Sequence, residues 1–318
     1  MMRRLEGNVL ILGVAGKMGV TLALAARKAV ELAGVSKTVT GVARFSDPRP
    51  KEILADAGVE TIVCDLMDRS AVRQLPCVEN VVYMVGRKFG TEGDEELTWA
   101  LNVLVPANVA EHFSASRIVA FSTLCVYPLV TPESGGSAED DQVDPMGEYA
   151  QSCVGRERVL QYFSRRNGTA VCLLRLNYAI DLRYGVLHDI GTRIWNGDPV
   201  DVSMPLFNCI WQGDANNHAL LALEQCRSPA NVLVIGGPES VSVRRVAEEL
   251  AREMGRQVTF TGEEGATAYL SNTARARELF GEPSVSRKEM VRWTAHWIKA
   301  GGSSLNKPTH FEVRDGKF

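Results

Sequence analysis

No run of this 318-residue chain approaches the roughly 20 consecutive apolar residues that a membrane span requires. The start, MMRRLEGNVLILGVAG, sets two arginines ahead of an apolar run and so imitates a secretory leader. That run is short and ends in a glycine-rich turn, which reads better as a buried strand. Any C-x-x-C pair is also missing. The seven cysteines (64, 77, 125, 153, 172, 209 and 226) are scattered and odd in number, which argues against a zinc site and implies free thiols in a reducing compartment. Positive charge is not in excess: a formal net charge of −3 offers no concentrated basic surface of the kind nucleic acid demands. Repeats and low-complexity tracts are absent, and the tail HFEVRDGKF carries no legible signal. These absences lead to the expectation of a cytoplasmic globular protein without membrane, nucleic acid or metal. The length suits one large domain plus a smaller one.

What is present is an alternation of apolar runs, glycine turns and helical stretches. NVLILG (8–13), TVTGVAR (38–44), ETIVCD (60–65), NVVYMVG (80–86), RIVAFST (117–123), AVCLLRL (170–176) and NVLVIGG (231–237) read as strands. Helices are expected at 17–34, 50–58, 70–76, 94–113, around Tyr149, and near 242–255, 273–280 and 286–299. Strands rich in Val and Ile on this alternation imply a parallel sheet covered on both faces by helices. The acidic stretch TPESGGSAEDDQVDP (131–145) reads as a solvated surface loop, with a flap over a site as the alternative.

The first turn runs Gly13-Val14-Ala15-Gly16-Lys17-Met18-Gly19 between the first strand and the first helix. Glycines let a backbone turn tightly and approach a pyrophosphate, whose charge is met by amides at the positive end of the helix. The second strand ends in Arg44, with no acid there to bind the two ribose hydroxyls of NAD, so a cation is available for the extra phosphate of NADP. NADP is therefore the expected cofactor, with NAD as the alternative. Asp65 and Leu66 follow the third strand, where a carboxylate can lie beside an adenine.

Ordered marks over most of the chain resemble the extended short-chain dehydrogenase/reductase family, in its NAD-dependent epimerase/dehydratase group. They are GVAGKMG, Cys64 to Leu66, VVYMVGRK (81–88), Asn102, FSTLCVY (121–127), EYAQSCVGRE (148–157), LRLN (174–177) and NCIWQGD (208–214). The resemblance implies a Rossmann-type doubly wound parallel sheet with a smaller, discontinuous C-terminal substrate domain. The dinucleotide domain is expected over 1–176 and about 205–230, and the substrate domain over about 177–204 and 231–318. It further implies pyrophosphate contacts from Gly13, Gly16, Lys17, Met18 and Gly19, adenine contacts from Asp65 and Leu66, and cofactor-side roles for Lys88 and Asn102. Tyr149 falls on the acid/base tyrosine and Thr123 on the hydroxyl that orients the reacting oxygen, with Ser122 beside it. Ser152 and Glu157 also occupy family positions. The function so implied is that of an NAD(P)-dependent oxidoreductase or epimerase acting on a hydroxyl or carbonyl carbon of a sugar-like small molecule, with a homodimer as a candidate assembly.

One departure matters most. The family pattern Tyr-x-x-x-Lys here ends in Cys153. Residues four apart share a helix face, and an ammonium beside a phenol favours the phenolate. A neutral thiol, with a reference pKa of about 8.5, supplies no such field, and a tyrosine at its reference value of about 10 is only about 0.1% ionised at pH 7. A neutral phenol can still donate a proton, so reduction suffers less than oxidation. Three outcomes stay open: a reductase-biased enzyme, recruitment of another cation such as Lys88 or Lys17, or an NADP-binding regulatory or scaffold protein without turnover. Cys153 itself is either a reactive thiol or a packing residue. Leu124 and Cys125 stand where the dehydratase branch has an Asp-Glu pair, so elimination by that route lacks its acid and base. For the substrate, the candidates are Asn177, Arg183 and Trp211, then Tyr178, His188, Arg193, Trp195 and Asn208.

Overall fold

The structure is a computed structural model and describes residues 1–88 and 90–317. In chain order the elements begin β1 (Val9–Leu12), α1 (Gly19–Ala33), β2 (Val39–Ala43), α2 (Arg49–Asp56), β3 (Glu60–Val63), α3 (Arg69–Val72) and β4 (Asn80–Tyr83). They continue with α4 (Glu95–Trp99), α5 (Val105–His112), β5 (Arg117–Thr123), α6 (Gly147–Asn167) and β6 (Val171–Leu176). After these come β7 (Ala179–Ile180), α7 (Val186–Asn196), β8 (Val200–Asp201), β9 (Leu206–Phe207), β10 (Ile210–Trp211) and α8 (Gln212–Leu221). The chain ends with β11 (Asn231–Ile235), β12 (Val241–Ser242), α9 (Val243–Met254), β13 (Phe260–Thr261), α10 (Ala274–Phe280) and α11 (Arg287–Lys299).

Seven strands form one sheet in the order β11-β6-β5-β4-β1-β2-β3. The pairs β3–β2, β2–β1, β1–β4 and β4–β5 are parallel. Strand order reverses between β1 and β4, and the carboxyl ends beside such a reversal are where doubly wound sheets bind ligands. Every residue of β1 and β4 is buried, as two-sided covering by helices requires. Leu10, Leu12, Val81, Tyr83 and Ile118 pack there with Val105 and Val109 of α5 and with Phe113 just after it, each side chain stabilising the unit by roughly 1.5–3 kcal/mol on burial.

The chain divides into two compact units, Met1–Thr123, Gly147–Arg175 and Asn216–Leu233 forming one, and Leu124–Met146, Leu176–Ala215 and Val234–Phe318 the other. This division differs from the sequence expectation at two places. Leu124–Met146 goes with the second unit, because Val130 bridges Ala268 and Ser137 bridges Ser271. Residues from 205 onward also start there, since β9 pairs with β12 and β10 with β7. The acidic stretch is accordingly pinned rather than free: Tyr127 Oη donates to the Ala138 carbonyl at 2.5 Å, and the Glu139 carboxylate accepts the Val234 amide at 2.9 Å.

The second unit is built on α7, α9 and α11, whose Leu187, Ile190, Val246, Leu250, Val291 and Ile298 share one core. Neither α7 nor α8 is expected from the sequence. The start of α7 has no side-chain cap, and Gly191 interrupts its pattern; a Cβ there would lie 2.6 Å from Ile298 Cδ1, so the glycine permits close helix packing. The uninterpreted tail is anchored as well. Thr309 donates from both its amide and its hydroxyl to Asp189, Phe311 is buried, and Arg314 donates to the Thr267 carbonyl. Among the described residues, no helix is long and apolar enough to cross a membrane.

Candidate active site

The glycine turn joins β1 to α1. Gly13 turns at φ 85°, and a Cβ on Gly19 would meet the Val14 carbonyl oxygen at 2.4 Å, so α1 begins hard against the turn because position 19 has no side chain. Gly16 is exposed, and a Cβ there would meet only the Gly13 carbonyl oxygen, at 3.2 Å. Met18 stands at the N-cap with no side-chain cap, and the first turn carries no acid. A helix start with no side-chain cap and no competing carboxylate is chemically suited to a diphosphate, and Gly16 leaves the backbone approachable. These residues fit a dinucleotide. Lys17 and Met18 are half-buried in this turn, and Asn216 of α8 donates to Thr21 at 2.9 Å, fixing α1 from behind. At the ends of β2 and β3, Arg44 and Asp65 are exposed and Leu66 is buried; Asp65 accepts the Met67 amide at 3.0 Å.

Helix α6 is tied to β5 at two points. Arg156 Nη1 donates to the Phe121 carbonyl at 2.8 Å, and Ser122 Oγ donates to Glu157 Oε1 at 2.6 Å. Tyr149 lies about two turns before Glu157 on α6, in the first turn of the helix, and Thr123 ends β5. The hydroxyl of Ser122, a catalytic candidate, is committed to Glu157, and successive strand residues face opposite sides, so Ser122 and Thr123 point different ways. Glu157 also pairs with Arg175 of β6 at 2.7 Å, both side chains being at most 5% exposed. Cys153 is fully buried, as the packing alternative requires.

Asn102, expected on the cofactor side, is fully buried and organises the groups around it. Its Oδ1 accepts the Arg87 amide at 2.9 Å and Arg156 Nη2 at 2.5 Å, while its Nδ2 donates to the Arg87 carbonyl at 3.0 Å and to Ser152 Oγ at 2.9 Å. The helix around it widens to π form over Ala100–Leu104. Pro106 has no amide to return to the Asn102 carbonyl, which accounts for the widening. Lys88 lies close by, its Nζ 5.9 Å from the centroid of the Tyr149 ring. Arg156 was not anticipated from the sequence, although its place seven residues after Tyr149 puts it on the same helix face.

Several substrate candidates are already engaged within the second unit. Asn177 is buried and donates to Ser271 Oγ at 3.3 Å; Asn208, also buried, donates to the Glu239 carbonyl at 2.9 Å and accepts the Ser271 amide. Arg183 pairs with Asp181 at 2.9 Å and Arg193 with Glu312 at 3.1 Å. Trp195 lies under the Arg256 guanidinium, Trp211 meets Trp293 edge to face, and His188 contacts Ser304. Burial, foremost, drives the Tyr178 phenol well above its ordinary range, so it stays neutral.

Comparison with known proteins adds three findings. The family model described as "NAD dependent epimerase/dehydratase family" matches residues 9–180. No curated protein sequence matches. Among solved structures, UDP-glucuronic acid 4-epimerase from Bacillus cereus with UDP-glucuronic acid and NAD is 17% identical at a TM-score of 0.76, covering 92% of this chain and 99% of that one. WbmG from Bordetella bronchiseptica with NAD and UDP is 20% identical at 0.76, covering 96% and 99%. UDP-glucose 4-epimerase from Thermotoga maritima with UDP-glucose is 18% identical at 0.75, covering 92% and 99%. At these identities the likeness is one of fold.

Proposed function

The chain belongs to the NAD-dependent epimerase/dehydratase family, an extended short-chain dehydrogenase/reductase group of nicotinamide-dependent oxidoreductases and epimerases, and from that premise we propose that it epimerises or oxidises and reduces a hydroxyl-bearing carbon of a sugar nucleotide. The observation that carries the reading is the placing of Tyr149 in the first turn of α6, with Lys88 Nζ over its ring, in the same unit as the bare glycine turn. UDP-linked sugars are the proposed class because the neighbouring structures hold UDP-glucuronic acid, UDP-glucose and UDP.

A bound nicotinamide ring supplies the hydride acceptor and donor. The protein's part is proton handling and position. Gly13, Gly16 and Gly19 with the start of α1 hold the diphosphate, Tyr149 moves the proton of the reacting hydroxyl, and Thr123 orients that oxygen. Epimerisation needs both directions, so the phenol must serve as base as well as acid. The bias toward reduction expected from Cys153 assumed a tyrosine with no cation near it, and the Lys88 ammonium near the ring weakens that assumption. Incubating the NAD-loaded protein separately with UDP-glucose and UDP-glucuronic acid should produce the C4 epimer of one of them, resolved by chromatography. If neither sugar changes and the nicotinamide absorbance stays flat, the reading is wrong.

NAD is the proposed resident cofactor, in line with the neighbours, and Arg44 is proposed to admit NADP as well. Arg44 is exposed at the end of β2, in a position from which it can meet a 2′-phosphate, while the next carboxylate, Asp47, is taken by Arg49 at 2.7 Å. Arg44→Ala should weaken NADPH by about tenfold, the typical value of one charge-assisted contact, and leave NADH nearly unchanged. Fluorescence titration reads both constants, and equal losses for the two would exclude Arg44 as the discriminator.

A further inference from the structure

We infer that the buried guanidinium of Arg156 takes over the electrostatic task of the lysine that Cys153 replaces, favouring the phenolate of Tyr149. This rests on Tyr149 being the acid/base of the proposed reaction and names the residue that lets it act as a base.

Four observations support it. Arg156 stands seven residues after Tyr149 and three after Cys153, all on one helix face. Side chains on a helix lean toward its N-terminus, and the Asn102 amide shows how far this one reaches: one end holds Arg156 Nη2 and the other holds Ser152 Oγ. The guanidinium therefore lies level with Ser152 and Cys153, one turn from Tyr149. The site is also shaped for it, since a Cβ on Gly86 would come within 2.4 Å of Arg156 Nη2.

The charge is not spent elsewhere. Arg156 is 6% exposed, and among the described residues it forms no ion pair; its Nη groups bind neutral oxygens, and Nε is without a hydrogen-bond partner. Burial works against the cation, yet Cys153, Tyr83, Tyr149 and Glu157, in that order, outweigh it and raise the guanidinium further. Glu157 is the weakest of the four and is already paired with Arg175. A buried cation held by neutral groups projects its field onto nearby acidic hydroxyls and thiols with little screening. Lys88, half-buried, is more open to solvent. Arginine is suited to the task because it keeps its charge under desolvation, where a lysine readily loses it.

The test follows the ionisation of Tyr149 and needs no substrate. Ultraviolet difference titration of the NAD-loaded protein, with Tyr149→Phe as the blank, isolates the Tyr149 transition. Arg156→Met should move that transition to higher pH, leaving about tenfold less phenolate at a fixed pH, while Arg156→Lys should keep most of it. Gly86→Ala, which retains the charge but displaces it, should act in the same direction. Adding Cys153→Lys to Arg156→Met should return the transition toward its wild-type position, because a cation again faces the phenol. A folded Arg156→Met protein with an unmoved transition overturns the inference. Should Arg156→Met not fold, Gly86→Ala decides, an unmoved transition again being fatal. Absence of sugar-nucleotide turnover removes the proposed function but leaves this titration readable, so the two readings fail separately.

Discussion

Tyr149→Phe is expected to lower turnover of a sugar nucleotide by about 10²- to 10⁴-fold, the usual worth of a positioned acid/base group, with fold and dinucleotide affinity intact. The substitution deletes one oxygen from a half-buried ring at the start of α6 and leaves the helix's ties to β5 through Arg156 and Glu157 untouched. The glycine turn after β1, proposed to hold the diphosphate, is likewise unaltered. Initial rates of epimer formation, together with fluorescence titration of NADH, measure both halves. A variant that keeps more than about a tenth of wild-type turnover would show that another group carries the proton.

The largest stability effect is expected at Glu157. Its carboxylate sits between Arg175 and Ser122, with Arg175 donating through Nε at 3.0 Å and Nη2 at 2.7 Å. Glu157→Ala leaves the Arg175 guanidinium buried without its anion and should cost about 3–5 kcal/mol, read as a lowered denaturation midpoint. The net worth of the pair is a different quantity, because desolvating two charges offsets most of their attraction. Replacing both partners, as in Glu157→Leu with Arg175→Met, should recover much of the loss. A loss below about 1 kcal/mol for Glu157→Ala would mean that water reaches the site and relieves the stranded charge.

Features written into short stretches were legible without coordinates. The glycine spacing after β1, the alternation that builds the sheet and the position of Tyr149 all depend on neighbours within one or two turns or strands. Asn102 and Ser122 were found, but not their partners. Spacing could place them near the reaction, but only the fold shows Asn102 holding Arg87, Ser152 and Arg156 together, and Ser122 spent on Glu157. Helix α7 was missed because Gly191 breaks a local pattern, while the need for that glycine comes from Ile298, more than a hundred residues away.

By itself the amino-acid order determined a doubly wound sheet, a bare helix start suited to a diphosphate, a phenol opening α6 and a thiol where its partner cation belongs. Which arginine of α6 lies sealed from water was decided by the tertiary structure. Arg156 is one of four arginines in α6, and periodicity does not say which is sealed from water or which meets a carboxylate. That depends on Asn102, Gly86 and Phe121 arriving from other elements to close around one guanidinium. Charge is carried by the residue, but its field is governed by burial, and burial belongs to the folded chain.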